Sequence, residues 1–214
     1  MPGLALALWG AYLLLAVVLR MVIQRRRTGS SGWRGISGAF GSAEWLGGAL
    51  FATAVLAGPL APVLDLTDSL DPVGVLDHGW IHGLGLALFA GGLCALLAAQ
   101  ASMGRSWRIG VDEQERTDLV TGGPFELVRN PIFTAMVALQ LGLTLLVPNV
   151  VALGSFVALI AALEVQTRLV EEPYLLSRHG ESYGSYAGRV GRFLPGVGRL
   201  RPTVAAPPSA KTGL

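Results

Sequence analysis

The chain has 214 residues, of which 52% are hydrophobic and 14% are charged, and its formal net charge is +2. A soluble domain carries about 25% charged residues, so this composition argues against one and predicts a membrane domain. The one cysteine, Cys94, excludes an internal disulfide and any metal cluster built from cysteines.

The first apolar segment runs from about residue 4 to residue 23 and is long enough to span a bilayer. No basic residue precedes it, whereas Arg20 and the arginines at 25–27 lie at its end. A secretory signal has the opposite polarity. We therefore predict a retained helix with its N-terminus outside the cell and its basic end in the cytosol.

The second and third apolar segments cover about residues 44–64 and 80–101. The loop between them contains four aspartates, and no Lys or Arg occurs between Arg34 and Arg105. Such a loop is typical of the extracytoplasmic side. The third segment has small residues at every fourth position, which predicts close packing of another helix along that row. These are Gly79, Gly83, Ala87, Gly91, Ala95 and Ala99.

Two shorter apolar segments, 132–147 and 150–163, flank Pro148 and Asn149 and predict a helical hairpin. Basic residues dominate the chain after the hairpin, so the C-terminus is predicted to be cytosolic. Five transmembrane helices then place every loop on the side of the membrane that its charges predict. The predicted fold is all-α: a multi-pass protein of the cell inner membrane with about five transmembrane helices.

A single membrane domain is predicted over residues 1–201. It divides into three N-terminal helices, 1–101, and a second part, 102–201, that would carry the function. The remaining residues, 202–214, are rich in Pro, Ala and Ser and predict a flexible tail.

Two polar, charged clusters, 104–131 and 164–195, flank the hairpin on the predicted cytosolic side. The hairpin therefore brings them close together. They contain no Ser/His/Asp set, no phosphate-binding Gly-rich loop and no His/Cys cluster, which favours binding of a charged small molecule. His78 and His82 are spaced as a metal pair but lie at the predicted opposite membrane face without a third ligand, so no metal is predicted. No nucleic-acid partner is predicted either.

Residues 119–133 read LVTGGPFELVRNPIF, and this block resembles the LVTxGPYxxxRHPxY block of the isoprenylcysteine carboxyl methyltransferase family. After the hairpin the chain shows EEPYL at 171–175, HGESYGSY at 179–186 and RVGRFLP at 189–195. The family has similar elements in the same order. The resemblance covers about residues 100–195.

This resemblance implies an integral membrane enzyme that uses S-adenosylmethionine to methylate a lipidic acceptor, with the cofactor bound at the cytosolic face. It assigns catalysis to Arg129, which would hold a carboxylate, and to Glu172. It assigns cofactor binding to seven further residues. These are Asn130, Pro131, Phe133, Glu171, Tyr183, Tyr186 and Arg189. The implied acceptor is a lipid-like or small hydrophobic molecule in contact with membrane lipids, and a prenylcysteine carboxylate, a phospholipid amine and a small thiol all remain open.

Two departures from the family pattern bear on activity, because Asn130 replaces the usual His and Phe133 replaces the usual Tyr. Asn keeps a hydrogen-bonding side chain but cannot titrate near neutral pH. Two alternatives stay open. The C-terminal region also resembles that of the sterol reductases, which would imply an NADPH-dependent membrane reductase, and the two departures favour a non-catalytic membrane protein on the same scaffold. The sequence leaves the oligomeric state open.

Overall fold

The computed structural model describes residues 1–32, 38–104, 107 and 119–200. These residues form six helices. In chain order they are α1 Pro2–Thr28, α2 Ala43–Leu66, α3 Gly79–Met103, α4 Pro124–Leu127, α5 Pro131–Leu146 and α6 Val150–Arg189. α6 is kinked at Gly180, whose φ of 51° is not helical. α1, α2, α3 and α6 are long and apolar enough to cross a membrane, and α5 is a shorter apolar helix. The predicted all-α polytopic membrane fold is confirmed, while the predicted tail at 202–214 lies outside the described residues.

Local sequence signals set the helix boundaries. The Ser42 hydroxyl accepts a hydrogen bond from the Trp45 amide at 3.2 Å, and the Asn149 side chain accepts one from the Ala152 amide at 3.0 Å. Both are N-caps, which satisfy amides that a helix start leaves without partners. Pro131 opens α5, where its missing N–H costs nothing. The hairpin predicted from Pro148 and Asn149 is therefore present, with α5 and α6 as its arms.

The helices pack mainly as two pairs, with α3 against α5 and α2 against the first half of α6. α1 lies against both pairs. The largest core cluster joins α1, α3 and α5, and it includes Ala5, Ala16, Phe89, Leu96, Ala135, Leu139, Leu143 and Leu146. This bundle brings the start of α5 and the second half of α6 to the same end, where the two polar clusters meet.

Polar side chains also connect the hairpin to α2 inside the bundle. The Ser155 hydroxyl donates to the Ala54 carbonyl at 2.9 Å, and the Asn149 amide donates to the Ala61 carbonyl at 3.0 Å. Gln140 of α5 donates to the Ser155 hydroxyl at 3.0 Å. Interhelical hydrogen bonds of this kind hold membrane helices together where lipid removes the hydrophobic drive.

The small residues of α3 that pack against another helix are not those of the predicted row. Five of the six predicted positions are exposed, and only Ala99 is buried. Gly85 and Gly92 face α5 instead, and a Cβ on Gly85 would lie 2.8 Å from the Gly142 carbonyl oxygen. α3 has small residues on two faces, but only the face with Gly85 and Gly92 meets Gly142 of α5, where the two backbones approach closely.

We expect Gly142→Ala to destabilise the protein by about 1–3 kcal/mol, the usual range for overpacking. The added Cβ would lie 2.6 Å from the Gly85 carbonyl oxygen and 2.7 Å from the Phe89 amide nitrogen, both backbone atoms that cannot turn aside. Thermal unfolding in detergent measures the change. Gly91→Ala is the matched control, because its Cβ would meet nothing within 4 Å. Equal stability of the two variants would contradict this packing.

Two helices contain π-helical segments, Leu13–Leu19 in α1 and Gln166–Glu171 in α6. Each segment ends immediately before a buried charged residue, Arg20 in α1 and Glu172 in α6. A π-helical turn takes extra residues, so it rotates everything that follows relative to a continuous α-helix. The two segments therefore set the direction in which Arg20 and Glu172 point.

Candidate functional site

The two sequence blocks that carried the resemblance are joined by backbone hydrogen bonds. The Arg129 amide donates to the Gly191 carbonyl at 2.8 Å, and the Asn130 amide donates to the Arg192 carbonyl at 3.1 Å. Val128 and Gly191 form an isolated parallel β-bridge. The Thr134 hydroxyl adds a bond to the Phe193 carbonyl at 2.8 Å. The segment before α5 is thus paired with the segment after α6.

At this junction a buried carboxylate lies between two guanidinium groups, and we call Arg129, Glu172 and Arg192 the Glu172 cluster. Nη2 of Arg129 lies 2.6 Å from Oε1 of Glu172. Arg192 binds the same carboxylate with two parallel hydrogen bonds, from Nε to Oε1 and from Nη2 to Oε2, both at 2.8 Å. Such bidentate pairs are the strongest and most directional ionic contacts in proteins. The cluster therefore fixes Glu172 in one orientation.

Arg129 also binds the backbone at the end of α6. Nη1 donates to the carbonyls of Ala187 at 2.9 Å and Val190 at 2.6 Å, and Nη2 donates to the Gly198 carbonyl at 3.0 Å. Its Nε is buried and has no hydrogen-bond partner within the described part of the chain. In this conformation, most donors of Arg129 bind the protein itself.

Two tyrosines of α6 are buried beside the cluster. The Tyr186 hydroxyl donates to the Phe125 carbonyl of α4 at 2.6 Å. The rings of Tyr183 and Tyr186 are 6.2 Å apart, and Leu119, Leu175, Val190 and Leu200 pack around them. α4 is thereby attached to α6, and the buried rings keep water from one side of the Glu172 cluster.

The structure brings some of the predicted site residues together and separates others. Arg129, Asn130, Glu172, Tyr183 and Tyr186 lie at the junction described above. Glu171 is half-buried and accepts a hydrogen bond from Gln166 at 3.4 Å. Arg189 is exposed and donates to the Ser185 hydroxyl at 3.1 Å.

Phe133 and Pro131 are placed differently. Phe133 packs inside the bundle against the cluster of Ala54, Leu159 and Leu163. Pro131 is buried as the first residue of α5. The roles assigned to all of these residues by resemblance stay predictions.

Glu164 lies close enough to act electrostatically on Arg192. Within the Glu172 cluster itself, two guanidinium groups face one carboxylate, which leaves one positive charge. The hydrogen bond to Glu172 raises the pKa of Arg192 above its ordinary value, so this charge persists at every physiological pH. Because the Arg192 side chain is 12% exposed and that of Arg129 only 1%, Arg192 is the more accessible of the two guanidinium groups.

Sequence reasoning assigned no role to two residues of this junction, Arg192 and Thr134. Arg192 stood in the basic element RVGRFLP, but Arg189 was chosen there because of its place in the resemblance. The pairing of Arg192 with Glu172 spans 20 residues of chain. Nothing in the sequence signals that these residues meet, because the turn after α6 decides it.

Comparison with known proteins supports a methyltransferase relationship. Residues 80–182 match the family model of phospholipid methyltransferases. Protein-S-isoprenylcysteine O-methyltransferase B of Arabidopsis thaliana is 27% identical over 58% of this chain and 64% of its own length. Its relative A is 28% identical over 64% of this chain and 73% of its own length. The nickel-cobalt-cadmium resistance protein NccN of Alcaligenes xylosoxydans xylosoxydans is 29% identical over 58% of this chain and 56% of its own.

Proposed function

We propose that the chain transfers a methyl group from S-adenosylmethionine to a lipidic or membrane-embedded acceptor. The proposal proceeds from the match of residues 80–182 to the phospholipid methyltransferase family model and from the similarity to two isoprenylcysteine methyltransferases. The observation that carries the proposal is the junction of the two family-like blocks through the Glu172 cluster. The blocks are 43 residues apart at Arg129 and Glu172, and yet these side chains are in direct contact.

The residues at the junction fit a cofactor that has both a carboxylate and cationic groups. The accessible guanidinium of Arg192 and the exposed Arg189 would hold the carboxylate, since arginine binds carboxylates through parallel hydrogen bonds. Glu171 would accept hydrogen bonds from ribose hydroxyls or face the cationic end. The buried, unpartnered Nε of Arg129 provides one more donor beside them.

The work of the protein in this reaction is positioning and exclusion of water. When bound, the cofactor supplies an electrophilic methyl group on a positively charged sulfur. Transfer to an anionic acceptor neutralises charge, and a site with little water favours it. The buried rings of Tyr183 and Tyr186 and the fixed loop after α6 would provide that environment and hold the reactants in line.

The acceptor we propose is lipid-like, with a prenylcysteine-type carboxylate, a phospholipid amine and a small thiol as the classes to test. The names of the two Arabidopsis relatives and of the family model support a lipidic acceptor. Asn130 stands at the start of α5 with its side-chain amide donating to the Arg192 carbonyl at 3.3 Å. We propose that it orients that loop and takes no part in proton transfer.

The proposed location is the cell inner membrane, with the N-terminus outside and the junction in the cytosol. Charge distribution supports this orientation. Arg25, Arg26 and Arg27 end α1 at the junction end of the bundle, whereas Asp65, Asp68 and Asp71 lie at the opposite end. Basic residues favour the cytosolic side.

Calorimetric titration of the detergent-purified protein with S-adenosylmethionine and its demethylated product tests the proposal. We expect micromolar binding, weakened about tenfold by Arg189→Ala because one carboxylate contact is lost. Arg178→Ala is the control, since this arginine is also exposed on α6. Absence of binding to the folded wild type would refute the methyltransferase proposal. A parallel titration with NADPH then decides between the reductase and a non-catalytic scaffold.

A further inference from the structure

A second buried arginine, Arg20, lies outside the part of the chain that matches the family. It directly follows the π-helical segment of α1 and is 6% exposed. A buried ionisable residue in a membrane helix is costly and is a functional candidate by default. Among the described residues, it contacts Gln100 and Gly104 at the end of α3 and Trp107 beyond it.

Arg20 holds the last turn of α3. Its Nη2 donates to the Gly104 carbonyl at 2.6 Å and to the Gln100 carbonyl at 3.3 Å. In return, the Gln100 side chain donates to the Ala16 carbonyl at 2.8 Å. Carbonyls at a helix end lack intrahelical partners, and a cation there satisfies them and opposes the negative end of the helix dipole. α1 and α3 are therefore clamped at one point from both sides.

The same guanidinium also covers Trp107. The Arg20 Cζ lies 4.8 Å from the centre of the Trp107 ring, which is cation–π distance. Trp107 is only 3% exposed, and its ring lies so close to Gly32 that a Cβ there would come within 3.2 Å of it. Arg20 thus contacts both Gly104 and Trp107, which follow the last turn of α3.

The clamped end of α3 touches the site through α4. A Cβ on Gly123 would lie 3.4 Å from the Ser102 hydroxyl, so the last turn of α3 supports the start of α4. α4 in turn presents the Phe125 carbonyl to Tyr186 beside the Glu172 cluster. A contiguous set of contacts therefore leads from Arg20 to the proposed cofactor site.

We propose that Arg20 is a positioning residue: it fixes the end of α3 and Trp107, and through α4 it sets the geometry of the cofactor site without touching the cofactor. This inference rests on the proposed function for its catalytic consequence. Its structural part, the immobilisation of Trp107 by Arg20, stands independently. If Arg20 only added stability, its substitution would lower the unfolding temperature but leave the folded site unchanged.

The test compares Arg20→Ala and Arg20→Lys with the wild type and with the control Arg25→Ala, which removes an exposed arginine from the same helix end. Measurements are made at a temperature where all variants are folded. The first readout is iodide quenching of Trp107 fluorescence, isolated by subtracting the signal of each Trp107→Phe counterpart. The second readout compares the change in KM for S-adenosylmethionine with the change in kcat.

For Arg20→Ala we expect at least threefold stronger quenching of Trp107 and about a tenfold rise in KM, with kcat within twofold of the wild type. Arg20→Lys should recover part of both effects, because it keeps the charge near the ring and one donor. If Arg20→Ala does not fold, Gln100→Leu takes its place, since it removes the return bond to α1. Unchanged quenching overturns the inference, and so does a KM equal to that of Arg25→Ala.

The two proposals fail separately. A wild type that binds no S-adenosylmethionine refutes the methyltransferase function, and the quenching experiment still decides whether Arg20 immobilises Trp107. Strong quenching of Trp107 with normal KM would mean that the end of α3 does not control the site, which overturns the positioning role.

Discussion

Arg129→Leu and Glu172→Leu are each expected to lower the free energy of unfolding by about 3–5 kcal/mol. Glu172→Leu leaves the buried Arg129 guanidinium without a carboxylate, whereas Arg129→Leu leaves Glu172 with Arg192 alone. Arg129 is 5% exposed and Glu172 is 5% exposed, so water cannot replace the lost contact. In Arg129→Leu three carbonyls around the end of α6 also lose their donor. Thermal or denaturant unfolding in detergent measures the loss.

The double variant Arg129→Leu/Glu172→Leu should be much less destabilised than the sum of the single variants. The double variant removes both deeply buried charges and leaves only Arg192 without its carboxylate, and the Arg192 side chain is 12% exposed and can reach water. The coupling energy should therefore be about 1–3 kcal/mol. The matched control is the exposed pair of Glu164 and Arg168, one turn apart on α6 with 37% and 56% exposed side chains. Its coupling should be about 0.3–0.5 kcal/mol. Additive effects at Arg129 and Glu172 would contradict the cluster.

The double variant also separates two roles of Arg129. If it folds and still binds S-adenosylmethionine, Arg129 acts by holding α6 and the loop after it. If it folds and does not bind, the guanidinium or the carboxylate contacts the cofactor. Calorimetry on the same preparation gives the answer, and Arg192→Lys provides a further comparison because it removes only the bidentate geometry.

Deletion of Leu169 is expected to abolish cofactor binding and to destabilise the second half of α6. Leu169 lies in the π-helical segment and is 58% exposed, so its side chain contributes little packing. Removing one residue there should convert the segment to α-helix and rotate everything after it by about 100°. Glu172 would then turn away from Arg129, and Tyr186 from the Phe125 carbonyl.

The control for this deletion is Leu169→Ala, which shortens the side chain and keeps the register. We expect it to bind cofactor like the wild type, whereas the deletion variant should bind at least 100-fold more weakly and unfold at a lower temperature. Protease digestion should also cleave the deletion variant faster within α6. A deletion variant with wild-type binding would show that the π-helical segment does not set the direction of Glu172.

Much of the candidate site was visible in sequence because its residues lie in two local blocks with characteristic spacing. LVTGGPFELVRNPIF and EEPYL predicted that Arg129 and Glu172 belong together, and the hairpin predicted how the chain returns. In the structure these two side chains lie 2.6 Å apart, and the roles assigned to them stay predictions. What stayed hidden is that Arg129 binds three carbonyls near the end of α6, because that depends on where the last turn of this helix ends.

The sequence by itself determined the all-α membrane architecture, the helix boundaries at Pro131 and Asn149, and the proximity of the two blocks. These follow from local quantities: hydropathy over about 20 residues, capping chemistry and charge. Only the tertiary structure decided which face of α3 packs, that Arg192 and not Arg189 completes the cluster, and that Arg20 reaches Trp107. These contacts depend on the rotation of each helix about its axis. A π-helical turn changes that rotation, and the spacing of residues in the sequence does not show where such a turn occurs.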